Sequence, residues 1–250
     1  AEDTVADGLW SSLHDSWVEM WASTFHIYAG TLVVVGTGTV LGTSIEAGNL
    51  WPIAFAFGMS WATLHYAMGR DMNPSISFYR WFHRDISFMR MLWLWVGQFL
   101  GGILASALVW ASLGTNALSL GSTALNANLK AGNGFLLEFM GTLFMLFVWH
   151  KVHQDHMTIY LMGVAMAAVN MMLLPFTGAG VNPARVFGPS MVQCMAGDCA
   201  VTDHWWIWWV GPFAASYLVL EFDRMNMSCE KEGGAAVNPS NHDEEEGSKA

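Results

Sequence analysis

The chain has 250 residues, 54% of them hydrophobic and only 12% charged, with 14 tryptophans, a composition outside the range of soluble domains of this length. The formal charge of −10 lies at the ends: Glu2, Asp3, Asp7, Asp15 and Glu19 meet no base within residues 1–19, and eight acids within residues 221–250 meet only Arg224, Lys231 and Lys249. An acidic total without a basic stripe argues against nucleic acid as a partner, and three cysteines support no disulfide framework.

Taken in order, residues 1–23 read as an acidic, solvated tail with no apolar core of a signal peptide. Six long apolar stretches follow, at Thr24–Gly42, Trp51–Gly69, Met91–Leu113, Phe135–His150, Ile159–Phe176 and Trp205–Phe222. Each is long enough to cross ~30 Å of hydrocarbon as a helix. Two shorter apolar pieces, Pro74–Phe82 and Pro183–Met195, each follow an Asn-Pro and are too short to span. Irregular backbone at membrane depth survives only when buried in protein or lining a water-filled cavity, so the two pieces predict re-entrant half-helices around a lumen. Residues 223–250 read as a second acidic tail, disordered by composition.

The chain repeats itself. Gly30-Thr31 recurs as Gly141-Thr142, 111 residues on, and Asn73-Pro74 as Asn182-Pro183, 109 residues on. With three spans per copy, the second copy enters the bilayer from the opposite side, and interrupted segments at matching places in inverted halves point to a midplane site. The expected organisation is an all-α membrane domain over residues 24–222, with repeat 1 at 24–113 and repeat 2 at 133–222. Arg70, Arg80, Arg84, Arg90, Lys151, Arg224, Lys231 and Lys249 fall on one side and only Lys130 and Arg185 on the other, which places both termini in the cytoplasm. Trp51, Trp205 and Trp206 then sit at the outer interface, and Trp17 and Trp21 at the inner one.

Asn-Pro at each half-helix has a physical use, because Asn caps a helix and Pro is tolerated at its first position. Helices starting at Asn73-Pro74-Ser75 and Asn182-Pro183-Ala184, with their N-termini facing, set positive potential at mid-membrane. Their side-chain amides can donate to a passing water and interrupt a proton-conducting chain. The same letters at Asn238-Pro239-Ser240 lie in the polar tail and carry no such meaning.

Residues 24–222 resemble the aquaporin (major intrinsic protein) family. The resemblance is carried by Ala56-Phe57-Gly58-Met59-Ser60-Trp61-Ala62-Thr63-Leu64, by Gln98, by Glu138-Phe139-Met140-Gly141-Thr142 and by Trp209-Val210-Gly211-Pro212. Its strongest signature is Thr177-Gly178-Ala179-Gly180-Val181-Asn182-Pro183-Ala184-Arg185. It implies a homotetramer of six-helix protomers, each with its own pore, and a constriction at Phe57, Asn170, Ala179 and Arg185. Gln98 and Glu138 are implied as structural support, with Glu138 bonding re-entrant backbone amides; its equivalent in repeat 1 of this sequence reads as Ile27, a departure from the family.

Residue chemistry alone also allows Phe57 a lipid-facing or core place and Asn170 a helix-to-helix hydrogen bond. Three departures stand out: Asn170 where water-selective members commonly have histidine, Ser75 for alanine, and a shortened approach, Met68-Gly69-Arg70-Asp71-Met72. Val186 replaces the aspartate common in glycerol-type members, and Trp208-Trp209 resembles water-type members.

The expectation is therefore a channel for passive, proton-excluding permeation of water. The alternatives are a pore for small neutral solutes (ammonia, hydrogen peroxide, urea or glycerol) or, remotely, a non-conducting junctional protein. No cofactor, metal or enzymatic role is expected. His150, His153 and His156 suit either a proton-sensitive gate or a solvated loop, and Cys194 and Cys199 either a disulfide or free thiols.

Overall fold

A computed structural model describes residues 5–40, 47–114, 120–152 and 159–235. Among them every long element is helical: α1 (Val5–Val35, ending in a π turn at Gly36–Val40), α2 (Ala47–Met68), α3 (Pro74–Phe82), α4 (Phe88–Leu113), α5 (Ala131–Val152), α6 (Ile159–Thr177), α7 (Pro183–Met195) and α8 (Ile207–Ala235). Helices α1, α4, α5 and α6 each contain a stretch long and apolar enough to cross a bilayer. Helices α2 and α8 join them by packing, α2 on α6 and α8 on α5. The outer surface is apolar, with Leu100, Leu136, Val164, Met172 and Val210 each 50–59% exposed, which suits lipid and not water.

The packing has a pseudo-twofold order. Helix α1 packs on α4 as α5 packs on α8, α1 on α2 as α5 on α6, and the half-helix α3 on α8 as α7 on α4. Two glycine pairs permit the closest crossings. A Cβ on Gly58 would stand 2.3 Å from the Gly163 carbonyl oxygen, and one on Gly188 would stand 2.2 Å from that of Gly102. Only glycine lets these backbones meet.

Three expectations change. The first span does not start at Thr24: α1 begins at Val5, and Asp15, Ser16 and Glu19 are buried within it, so the boundary drawn at residues 23/24 falls inside a helix. Charge counting cannot distinguish a solvated acid from a buried, partnered one. At the other end, α8 continues past Phe222 to Ala235, so the acidic tail is helical at its start. Finally, the counterpart of Glu138 is Glu19, 119 residues earlier, and not Ile27. Gly97 closes on Ser16 and Glu19 just as Gly211 closes on Phe135 and Glu138. The Gly-Thr recurrence at 111 residues is thus no structural register, because the connection from α1 to its motif is longer than that from α5 to its own.

Candidate functional site: the paired half-helix starts and the Arg185 ring

Each half-helix is capped by its own asparagine. The Asn73 side-chain oxygen accepts from the Ser75 backbone N–H at 2.9 Å, and that of Asn182 accepts from the N–H groups of Ala184 at 3.0 Å and Arg185 at 3.4 Å. Pro74 and Pro183 follow at the first helical position, where the missing N–H costs no hydrogen bond.

The two motifs interlock reciprocally. Asn73 Nδ2 donates to the Val181 carbonyl at 3.1 Å, and Asn182 Nδ2 donates to the Met72 carbonyl at 2.7 Å. Met72 and Val181, the residues just before the two asparagines, both have positive φ, 54° and 32°. That geometry is unfavourable for a side chain, most of all a β-branched one. It is held from below by carboxylates: the Met72 N–H donates to Glu19 Oε1, the Val181 N–H to Glu138 Oε2 at 2.7 Å, and the Gly180 N–H to Glu138 Oε1 at 2.8 Å. Gln98 Nε2 bonds Glu19 at 2.7 Å and Ser77 Oγ at 2.8 Å, while the Thr177 hydroxyl donates to Glu138. Ser75 stands in the interlock, its hydroxyl 2.7 Å from Asn73 Oδ1, and its carbonyl accepts from Ser216 Oγ at 3.0 Å. All of these polar groups are buried, Asn73 at 0% and Asn182 at 3% exposure.

Three residues later in α7, Arg185 is also 3% exposed, and its Nε and Nη1 have no hydrogen-bond partner among the described residues. Its Cζ lies 5.4 Å from the centre of the Phe57 ring, a cation–π contact. Phe57 is therefore interior, not lipid-facing. Ala179 is buried at φ 52° with its N–H toward the Thr177 hydroxyl at 3.3 Å. Asn170, 2% exposed, turns its Nδ2 to the Met166 carbonyl of its own helix at 2.8 Å. Trp208 Nε1 donates to the Thr177 carbonyl at 3.2 Å, at the start of the irregular segment 177–180. Segment 120–131 approaches the same segment at Gly178 and borders a cavity of about 780 Å³, also lined by Asp198 and His204. Cys194, in the last turn of α7, and Cys199 are joined as a disulfide.

At the opposite end, the shortened approach to Asn73 is pinned by charge. Asp15 pairs with Arg70 at 2.7 Å and Arg90 at 2.6 Å, and Asp71 with Arg80 at 2.9 Å and Ser77 at 2.9 Å. His150 lies in α5, its Nδ1 2.6 Å from the Tyr79 hydroxyl; His153 and His156 lie outside the described residues. Sequence reading missed Glu19, Asp15, Asp71 and His26. The first had a signal: Glu19-Met-Trp-Ala22-Ser23 parallels Glu138-Phe-Met-Gly141-Thr142, with small residues at the same offset.

An inverted repeat whose two half-helices meet N-terminus to N-terminus inside a bundle of long helices defines a membrane channel. The family model described as Major intrinsic protein matches residues 9–219, and the chain belongs to that family. It is 29% identical to a probable aquaporin, PIP2-8, of Oryza sativa subsp. japonica, over 86% of this chain and 81% of that one. It is 30% identical to Aquaporin-1 of Homo sapiens over 76% of each. In fold it resembles the X-ray structure of the aquaglyceroporin from Plasmodium falciparum, with a TM-score of 0.75 at 14% identity, covering 84% of this chain and 95% of that one.

Proposed function

We propose that this protein is a water channel that excludes protons, with the interlocked asparagines at its centre. The observation that carries the reading is the reciprocal bonding of Asn73 and Asn182. Each amide has two N–H groups and spends one on the opposing carbonyl, so each keeps one donor for a permeant. A water oxygen accepting from both has no lone pair left for its neighbour, and the hydrogen-bonded wire along which protons hop is cut. The facing N-termini of α3 and α7 add positive potential at the same level.

Arg185 supplies the second barrier. An arginine at membrane depth costs ~2.5–3.5 kcal/mol on insertion scales, and its unpartnered Nε and Nη1 add a further cost unless a polar molecule passes beside them. A fixed cation with idle donors attracts water oxygen and repels cations. Phe57, Ala179 and Asn170 complete the constriction in this reading. Asn170 is short and Ala179 small, which favours slow passage of ammonia or hydrogen peroxide as a secondary activity. The protomer assembles as a homotetramer with both termini cytoplasmic, each protomer conducting alone and without a catalytic step.

The test is Arg185→Val in proteoliposomes loaded with a pH dye. Water flux near the parent's with a raised proton or ammonium leak is expected; a variant as proton-tight as the parent overturns the assignment.

A further inference from the structure

Phe57 has a second neighbour besides Arg185. His26 of α1 is 1% exposed, and its ring meets Phe57 edge to face with centroids 5.8 Å apart. It stands seven residues beyond Glu19 on α1, a rise of about 10 Å, and meets the same ring that Arg185 meets.

The bonding around His26 suits one tautomer. Ser60 Oγ lies 2.9 Å from His26 Nδ1 and 3.2 Å from the Phe57 carbonyl. A carbonyl can only accept, so with the single hydroxyl proton of Ser60 on the Phe57 carbonyl, Ser60 Oγ accepts from His26 Nδ1–H. The neutral ring then carries a bare lone pair on Nε2, which has no hydrogen-bond partner among the described residues. An orphaned acceptor and the orphaned donors of Arg185 thus flank one phenyl ring. Each costs about 1–3 kcal/mol if left unsatisfied in a dry interior. A molecule that donates and accepts at once satisfies both.

We propose that His26 is a specificity-determining residue of the constriction, presenting Nε2 as the acceptor opposite the Arg185 donors and narrowing the passage against urea and glycerol. This rests on the reading of Arg185 and Phe57 as the constriction.

The test uses His26→Cys and Arg185→Cys in a full-length Cys229→Ser background, with stopped-flow water permeability measured before and after an external, membrane-impermeant methanethiosulfonate. Both cysteine variants should lose most of their flux and regain it with reductant, while the background is unaffected. Block of the Arg185 variant alone overturns the role of His26 and leaves the constriction standing; block of neither overturns both. His26→Ala provides a second readout, because opening a pocket wall shifts discrimination by about tenfold. Its urea-to-water permeability ratio should rise by that factor, and an unchanged ratio reduces His26 to a brace for Phe57.

Discussion

Replacing Glu19 or Glu138 by alanine removes the acceptor that holds a left-handed residue in front of an asparagine, and the structure sets the relative damage. Glu19 serves one backbone N–H, that of Met72, and shares Gln98 Nε2 with Ser77. Glu138 serves two backbone N–H groups, those of Gly180 and Val181, and the Thr177 hydroxyl, whose alternative acceptor, Leu173 O, is at 3.4 Å. With about 1–3 kcal/mol for each buried donor left unsatisfied, Glu19→Ala costs about 1–3 and Glu138→Ala about 2–6 kcal/mol, before any cavity term. Glu19→Gln should be far milder, since its amide oxygen can take the place of Oε1 and still accept from the Met72 N–H and Gln98 Nε2. Thermal unfolding in detergent, followed by tryptophan fluorescence, should rank the midpoints parent, Glu19→Gln, Glu19→Ala, Glu138→Ala from high to low. Chains of this size shift by about 2–4 °C per kcal/mol. A Glu138→Ala midpoint equal to the parent's, or a Glu19→Gln midpoint as low as that of Glu19→Ala, would refute the bracing argument.

Asn182→Asp keeps the helix cap but exchanges the donor to Met72 O for an acceptor and places a negative charge at the positive centre; the channel should assemble, lose water flux and gain cation current, and parent-like conductance and swelling contradict the interlock. Asn170→His should keep water permeability and lower uptake of ammonia or hydrogen peroxide in the same vesicles, whereas unchanged uptake removes Asn170 from the constriction.

The half-helices were legible in the sequence with their ends, Pro74–Phe82 and Pro183–Met195, because capping is a local chemistry. The oxygen of each asparagine bonds N–H groups two or three residues away, and proline marks the first turn whatever surrounds it. The four strongly apolar spans and the family signature around Arg185 were legible for the same reason. Apolar length and residue order need no knowledge of what lies across the bundle.

What lies across it was decided only by tertiary structure. Whether an acid at position 15 or 19 is solvated or buried depends on the rotational setting of α1 against Met72, Arg70 and Arg90, partners more than 50 residues away in the chain. The internal match misjudged that setting because Gly30-Thr31 resembles Gly141-Thr142 in letters, while Glu19 and Glu138 share the contact. His26 shows the same limit: in sequence it is one polar residue in an apolar stretch. Only the approach of α1 to α2 brings its ring against Phe57, the ring that Arg185 also meets. Local capping and hydrophobic length are properties of short segments and can be read from them, whereas the partner of a buried charge or an unpaired nitrogen is set by how helices cross.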